Sequence, residues 1–216
     1  MNIGIFRRIF SFIWPVVIEK YTSHYNQVLE ISLYQNKLHL NSAKANYSFG
    51  SLHAVMKKGL KIAKKHYNSK FNRVLLLGYG GGSVAKILVQ KYNSEVQITA
   101  VEIDSKVIEI AKAWFPQKNV VFVNADAEEF LGSICQKFDL IVCDVFIDLE
   151  TPQFFSSFEF YQKIGDWLTE DGLFFQNLMM ADNQVILHFN LIRKYFKNPM
   201  FVNVVDTNRL YFGKAL

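Results

Sequence analysis

Residues 75–83 read Leu-Leu-Leu-Gly-Tyr-Gly-Gly-Gly-Ser, and this stretch decides how the rest of the chain is interpreted. An apolar, strand-like run ends at Leu77, and a helical pattern begins directly at Ser83. A strand that passes through a glycine-rich turn into a helix is typical of α/β proteins. The stretch therefore predicts the first β-α unit of a parallel sheet.

The turn itself has glycine at alternate positions. Gly78, Gly80 and Gly82 fit the pattern GxGxG, and glycines there let the backbone, including that of Tyr79, come close to a ligand. The pattern is not the GxGxxG of dinucleotide-binding proteins, because its third position is Ser83. The turn predicts a ligand site that departs from the dinucleotide type.

Beyond the turn, apolar runs alternate with helical stretches. The runs lack polar alternation, which is typical of strands buried on both faces, and this order predicts a Rossmann-like, doubly wound parallel sheet. The predicted strands are Arg73–Leu77, Val96–Val101, Val120–Val123, Leu140–Cys143 and Leu173–Leu178. The predicted helices are Ser83–Tyr92, Ser105–Phe115, Ala127–Gln136, Phe155–Leu168 and Asn183–Phe196.

The C-terminal end breaks this alternation. Phe201–Val205 and Leu210–Phe212 are strand-like but too closely spaced for a crossover helix. They predict an antiparallel hairpin that completes a seven-stranded α/β sheet. Two terminal strands in place of a last β-α unit are the arrangement of the class I methyltransferase fold.

The N-terminal end predicts a small extension. Val28–Leu33 and Lys37–Leu40 alternate in polarity on either side of a short turn, which indicates a β-hairpin. An amphipathic helix follows from a cap at Ser48 to about His66. We therefore expect an N-terminal extension at residues 1–46 and a catalytic domain at residues 47–216.

An acidic residue follows the second predicted strand. Glu102 lies twenty residues after Gly82, at the carboxyl edge of the sheet, where a carboxylate can accept hydrogen bonds from both hydroxyls of a ribose. The next residue, Ile103, lies at the same edge. Asp104 precedes a helical run and is predicted to cap it. The ribose of a nucleotide cofactor is expected at Glu102 and Ile103.

The third and fourth strands also end in carboxylates. Asp126, followed by Ala127, either caps a helix or accepts a hydrogen bond from an adenine amino group, and the sequence favours neither. Asp144 can bind the amine of a methionyl group, lie near a sulfonium, or orient an attacking amine. Asp148 lies in the following loop, where acidic residues are common. These carboxylates complete the predicted site.

The composition restricts the other classes of function. The chain has 216 residues, half of them apolar, which favours one sizeable domain. Its net charge of +5 comes from lysines spread along the chain, so we expect no nucleic-acid partner. Cys135 and Cys143 are too few for a disulfide framework, and neither has metal-ligand spacing. A cytoplasmic protein without a metal is expected.

The apolar run Ile9–Ile18 follows Arg7 and Arg8 and contains Pro15. It is too short to span a bilayer and lacks a small-residue cleavage site, so neither a transmembrane segment nor a signal peptide is predicted. The run can pack on the domain, contact a membrane surface or contact a second subunit, which leaves a homodimer open. Packing on the domain is the expectation.

Several of these segments, in order, resemble the spermidine synthase-like branch of class I methyltransferase folds. The resemblance extends over about residues 25–214 and implies that Glu102 binds the ribose and Asp126 the adenine. It also matches Asp144 to the acidic residue with which family synthases handle the amine substrate. The segments are Leu75–Ser83, Val101–Asp104, Asn124–Ala127, Phe138–Asp148 and Phe158–Tyr161.

The chain also departs from this family. Family synthases have a larger N-terminal β domain and a Tyr-Gln-Glu segment where residues 47–51 read Tyr-Ser-Phe-Gly-Ser. The second acidic residue is Asp148 and does not follow Asp144 by three positions. Because a dicationic substrate needs several acceptors, these departures argue against ordinary spermidine synthesis.

The sequence thus predicts methyl transfer from S-adenosyl-L-methionine to a small or medium acceptor, with Asp144 and Asp148 as the catalytic residues. One alternative is aminopropyl transfer from decarboxylated S-adenosylmethionine to a diamine, which is spermidine synthase activity. Another alternative is a protein that binds the cofactor without turnover.

Overall fold

The structure is a computed structural model that describes residues 3–42, 51–133, 136–146, 151–179, 182–204 and 208–216. The N-terminal part begins with a short helix, α1 (Ile5–Phe10). Three antiparallel strands follow in the order β1-β2-β3: β1 (Val16–Tyr21), β2 (Leu29–Tyr34) and β3 (Lys37–Ser42).

The predicted N-terminal hairpin is confirmed as β2 and β3. Gln35 and Asn36 connect them with φ of 49° and 57°, the left-handed conformation of a tight two-residue hairpin turn. The sequence did not predict β1, because its residues belong partly to the apolar run that precedes Glu19.

The small sheet packs on the main domain through a helix. Leu29, Ile31 and Leu40 form one apolar cluster with Ile110 and Trp114 of helix α4 (residues 105–114). The predicted boundary near residue 46 and the helix cap predicted at Ser48 lie outside the described residues, so the boundary stays a prediction.

The main sheet has the order β6-β5-β4-β7-β8-β10-β9 among the described residues, and β4 to β8 are parallel. The strand β10 is antiparallel to both of its neighbours, which confirms the C-terminal hairpin and the class I methyltransferase-like fold. The strands are β4 (Arg73–Leu77), β5 (Gln97–Glu102), β6 (Val120–Asn124), β7 (Phe138–Cys143), β8 (Leu168–Met179), β9 (Lys197–Asn203) and β10 (Asn208–Lys214).

Helices cover both faces of this sheet. Along β4, Val74 and Leu76 pack towards α2 and α3, whereas Leu75 and Leu77 pack towards α5 and α6. Two-sided burial explains why the strands are apolar without alternation. The helices are α2 (Ser51–Tyr67), α3 (Ser83–Lys91), α4 (Ser105–Trp114), α5 (Ala127–Leu131), α6 (Phe158–Trp167) and α7 (Asp182–Ile192).

Three predicted helices differ from the observed ones by more than one residue, and the helix predicted from Asn183 to Phe196 ends at Ile192. The helix predicted from Ala127 to Gln136 ends at Leu131, with Gly132 as its C-cap. The helix predicted from Phe155 to Leu168 is divided into a 3₁₀ helix, Gln153–Ser156, and α6, because Ser157 is extended and caps α6. Two strands also differ, because β8 begins at Leu168, before its predicted start at Leu173, and β9 begins at Lys197, before its predicted start at Phe201.

The expectation that the apolar N-terminal run packs on the domain is wrong for its first part, whereas Ile18 at its end packs against the cluster of Leu29, Ile31 and Leu40. None of the described residues of α1 is buried, and Phe12, Ile13 and Trp14 after it are also exposed. Within the described residues, no helix combines the length and apolarity needed to cross a membrane.

Candidate active site at the carboxyl edge of the sheet

The glycine turn between β4 and α3 has the backbone geometry that its sequence predicts. Gly78, Gly80 and Gly82 have φ of 83°, 52° and 71°, a region that residues with a Cβ rarely adopt. A Cβ at Gly78 would lie 2.5 Å from the backbone oxygen of Asp144, so a side chain is excluded by contact as well. The turn brings β4 directly against the end of β7.

Glu102, at the end of β5, is bound to this turn. Its Oε2 accepts hydrogen bonds from the N–H groups of Tyr79 and Gly80, at 3.0 and 3.3 Å. Its Oε1 accepts one from the N–H of Asp104 at 3.2 Å. Burial raises the pKa of Glu102, whereas these three donors act in the opposite direction. A carboxylate offers about four lone-pair positions, so about one is left for a ligand hydroxyl.

The side chain of Tyr79 lies under the turn. Its ring packs edge-on against Phe122 at a centroid distance of 4.7 Å, and burial raises its pKa to about 12. Its hydroxyl has no hydrogen-bond partner among the residues that the structure describes. The N–H of Tyr79 is bound to Glu102, and the predicted contact of Tyr79 with a cofactor stays a prediction.

Asp104 caps α4, as the sequence predicts. Its Oδ1 accepts a hydrogen bond from the N–H of Lys106 at 2.9 Å. Its Oδ2 accepts two more, from Ser23 at 2.5 Å and from Asn26 at 2.8 Å. The sequence did not predict these two contacts, which join the N-terminal part to the carboxyl edge of the main sheet.

Asp126 shows the capping role that was predicted as one of two. Its Oδ1 accepts a hydrogen bond from the N–H of Glu128 at 2.7 Å. Ala127, the first residue of α5, is buried. Nearby, the side chain of Asn124 donates to the backbone oxygens of Glu102 and Ile103, both at 2.9 Å. Asn124 was not singled out from the sequence, although it directly precedes the predicted site.

Asp144 follows β7 on the other side of the glycine turn. Its Oδ1 accepts a hydrogen bond from the side-chain amide of Asn177 in β8 at 3.0 Å. Burial raises the pKa of Asp144 to about 6, and the hydrogen bond from Asn177 opposes this shift. The residue as a whole is partly exposed.

Asn177 is, like Asn124, a residue of this site that was not singled out from the sequence. It is 1% exposed, and its Oδ1 has no hydrogen-bond partner among the described residues. Leaving a buried amide oxygen without a partner is costly, and this makes Asn177 a candidate site residue. The available sequence signal was a polar Gln176-Asn177 pair inside the apolar run of β8.

Gln176 belongs to a second, buried group of polar side chains. Its Oε1 accepts a hydrogen bond from the hydroxyl of Tyr161 at 2.9 Å, and its Nε2 donates to the backbone oxygen of Phe155 at 2.6 Å. The same hydroxyl contacts His188 at 2.6 Å, and burial lowers the pKa of His188 to about 4. These contacts tie β8 to α6, α7 and the 3₁₀ helix, and so support Asn177.

Other predicted features lie outside this arrangement. Asp148, predicted as catalytic, and the segment at residues 47–50 are outside the described residues. Within the described part of the chain, no cluster of three or more His, Cys, Asp or Glu residues could hold a metal ion. The structure therefore brings together Gly78, Glu102 and Asp144, with Asp126 at the end of β6 along the same edge.

A family model and curated relatives agree on the family that this chain resembles. A family model described as spermine/spermidine synthase domain matches residues 55–207. A probable polyamine aminopropyl transferase of Bifidobacterium longum is 32% identical over 115 residues, which are 52% of this chain and 26% of that protein. A polyamine aminopropyltransferase of Buchnera aphidicola is 30% identical over 139 residues, which are 59% of this chain and 48% of that protein. The chain spans about half or less of the length of these curated relatives.

Solved structures share the fold. A probable spermidine synthase from Corynebacterium glutamicum has a TM-score of 0.80 at 18% identity, over 93% of this chain and 81% of that one. Human methyltransferase-like protein 13, in complex with SAH, has a TM-score of 0.65 at 23% identity, over 78% and 83% of the two chains. At these identities the likeness concerns the fold.

Proposed function

Because the chain belongs to the spermine/spermidine synthase family, we propose that it transfers an aminopropyl group from decarboxylated S-adenosylmethionine to a small amine acceptor. The observation that carries this proposal is the pair formed by Asp144 and Asn177 beside the glycine turn. It supplies a carboxylate and a buried amide oxygen, both of which accept hydrogen bonds from an amine.

This proposal reverses the order of the sequence-based hypotheses, which placed methyl transfer first. The relatives named above are aminopropyltransferases, and they do not support methyl transfer. The likeness to a methyltransferase concerns the fold, which several reactions share. A protein that binds the nucleoside without turnover is the remaining alternative.

For the nucleoside part of the donor, we assign the residues at the ends of β4, β5 and β6. Glu102 has about one lone-pair position left for a ribose hydroxyl. Asp126, whose Oδ1 caps α5, is proposed to accept a hydrogen bond from the adenine amino group through Oδ2.

Asp144 is proposed to bind the attacking amine. The nitrogen forms a bond to the carbon that joins the aminopropyl group to the sulfonium, while the bond from this carbon to sulfur breaks and its electron pair stays on sulfur, which leaves as a thioether. The nitrogen must first lose a proton, and a carboxylate with a pKa of about 6 is ionised at neutral pH and can accept it. Because burial raises it, the pKa of Asp144 lies closer to neutral pH than the pKa of an ordinary aspartate.

Asn177 is proposed to orient this amine. Its amide donates to Asp144 and fixes the carboxylate, while its unpartnered Oδ1 is free to accept a second N–H from the same nitrogen. Two acceptors on one nitrogen restrict its direction of approach, which in-line displacement requires. The acceptor is therefore proposed to be a primary amine.

The experiment is a product assay with the full chain. The purified protein is incubated with decarboxylated or intact S-adenosylmethionine and a panel of diamines and polyamines, and methylthioadenosine and S-adenosylhomocysteine are quantified. We expect methylthioadenosine only with the decarboxylated donor and an amine. S-adenosylhomocysteine as the main product would show methyl transfer and overturn the proposal, as would binding of either donor without any product.

A further inference from the structure

The residues that precede β1 form an apolar surface that the proposed function does not use. We call residues 5–14 the N-terminal segment. Its seven large apolar side chains are between 59% and 77% exposed. Exposed apolar patches of this kind mark interaction sites. These side chains are Ile5, Phe6, Ile9, Phe10, Phe12, Ile13 and Trp14.

Hydrogen bonds hold the segment in place, although its large apolar side chains are exposed. The backbone oxygen of Ser11 accepts a hydrogen bond from the N–H of Gln35 at 2.7 Å, and its hydroxyl oxygen accepts one from the N–H of Asn36 at 3.1 Å. The guanidinium of Arg8 donates to the side-chain oxygen of Asn36 at 2.7 Å. These polar contacts fix the segment on the turn between β2 and β3, so its exposure is a property of the folded domain.

The helix α1 is amphipathic. At 100° per residue, its apolar residues occupy an arc of about 140°, and Arg7 and Arg8 lie on the opposite arc. Pairs four residues apart, Ile5 with Ile9 and Phe6 with Phe10, lie next to each other on the apolar arc. A helix with apolar and aromatic side chains on one face and arginines on the other is typical of segments that lie in a membrane interface.

The positive charge of the segment indicates which binding partner its apolar surface fits, a second copy of the chain or a lipid surface. The first acidic residue of the chain is Glu19, so Arg7 and Arg8 have no acidic neighbour within the segment. If two copies of the chain met through their apolar arcs, Arg7 and Arg8 on the opposite arcs would gain no acidic partner from the contact. A surface of anionic lipid instead offers phosphates to the arginines and acyl chains to the apolar arc.

We infer that the N-terminal segment binds peripherally to an anionic lipid surface, with α1 parallel to that surface. Ile9 and Phe10 enter the acyl boundary, Trp14 lies at headgroup level, and Arg7 contacts lipid phosphates. The inference does not depend on the reaction that the carboxyl edge of the sheet performs.

The test is co-sedimentation of the full chain with lipid vesicles. One set is phosphatidylcholine alone, and the other is phosphatidylcholine mixed with phosphatidylglycerol. We expect binding to the mixed vesicles and weak binding to the neutral ones. Arg7→Gln should weaken binding to the mixed vesicles about fivefold, because each basic residue near an anionic surface contributes about that factor, and should leave neutral vesicles unaffected.

The decisive variant is the double substitution Phe10→Glu with Trp14→Glu, which should reduce vesicle binding at least about tenfold. Its matched control is Ile186→Glu with Leu187→Glu in α7, where both side chains are similarly exposed, at 71% and 77%. The control should bind like the original chain. Because all four positions are exposed, the variants are expected to fold, which circular dichroism verifies.

Three outcomes would overturn the inference. The first is a chain that fails to sediment with either vesicle type. The second is an equal loss of binding in the α7 control. The third is a dimer, detected by sedimentation velocity without lipid, that the Phe10 and Trp14 substitutions dissociate, because the segment would then be a contact between two copies.

Discussion

Glu102 and Asp144 lie on either side of the same glycine turn, yet their carboxylates are used differently. Glu102 accepts three hydrogen bonds from backbone N–H groups, whereas the only hydrogen bond recorded for the carboxylate of Asp144, within the described residues, comes from Asn177. Burial raises the pKa of both. The comparison separates a carboxylate that holds the turn from one that we propose to bind the substrate.

The strongest test of this difference is Asp144→Asn. If Asp144 accepts the proton of the amine, the substitution should lower kcat about a hundredfold to a thousandfold. The affinity for the donor, measured by calorimetry, should change little, because the contacts of Gly78 and Glu102 are untouched. A variant that keeps its rate would remove Asp144 from the chemistry.

The pH dependence tests the same carboxylate without a substitution. With a pKa of about 6, Asp144 should lose activity about tenfold per pH unit below that value, because the protonated acid cannot accept a proton. Stability should respond in the opposite sense. The folded state takes up this proton at a higher pH than the unfolded chain, so the contribution of Asp144 to the unfolding free energy rises as pH falls from about 6 to about 4.

Urea denaturation at several pH values measures that trend. The unfolding free energies of the original chain and of Asp144→Asn should differ in their pH dependence within this window alone. Equal slopes for the two proteins would contradict the raised pKa.

The complementary substitution is Glu102→Gln. The substitution replaces one oxygen of a carboxylate that accepts hydrogen bonds from the N–H groups of Tyr79, Gly80 and Asp104. It should therefore lower the unfolding free energy by about 2 kcal/mol. Donor affinity should fall about tenfold, with kcat affected less than by Asp144→Asn. Denaturant melts and calorimetry give both values. Glu129→Gln, at an exposed position of α5, is the control and should change neither quantity.

Asn177→Ala should have a smaller effect that identifies its role. Loss of one hydrogen bond to a charged group predicts about a tenfold loss of rate. Because the hydrogen bond from Asn177 lowers the pKa of Asp144, the acidic limb of the pH profile should move to higher pH. Asn93→Ala is the control, since it also loses a side-chain hydrogen bond, to the backbone oxygen of Phe71. An unshifted limb in Asn177→Ala would reduce its role to packing.

The smallest effect is expected for Asp126→Ala. Loss of the helix cap should cost about 1 kcal/mol, and loss of the contact with adenine should weaken donor binding about fivefold. Ser157→Ala removes a comparable cap, from the N–H of Phe160 in α6, and should cost similar stability with unchanged donor affinity. Equal donor affinities in the two variants would leave Asp126 with its capping role alone.

Local sequence patterns predicted the fold and the edge at which the candidate residues lie. The five parallel strands were predicted because burial on both faces requires apolar runs, and β4 was predicted to the residue. Glu102 and Asp144 were singled out because the carboxyl ends of parallel strands share one edge. These inferences need only the order of the elements.

Features that depend on contacts between distant segments were not predictable in this way. Asn177 meets Asp144 only because β8 lies beside β7, and the direction of the Tyr79 N–H depends on the exact turn. β1 was missed because its strand character becomes clear only in its pairing with β2. The spacing of residues along the chain does not predict such contacts.

The carboxylate of Asp104 joins two parts of the molecule that would otherwise touch mainly through apolar side chains. Ser23 and Asn26 hold one of its oxygens, and the start of α4 holds the other. Asp104 is also the second residue after Glu102 and donates its own N–H to it. Asp104 thus links the N-terminal sheet to Glu102 within two residues, so a mechanical pull on that sheet would arrive at the glycine turn that Glu102 holds.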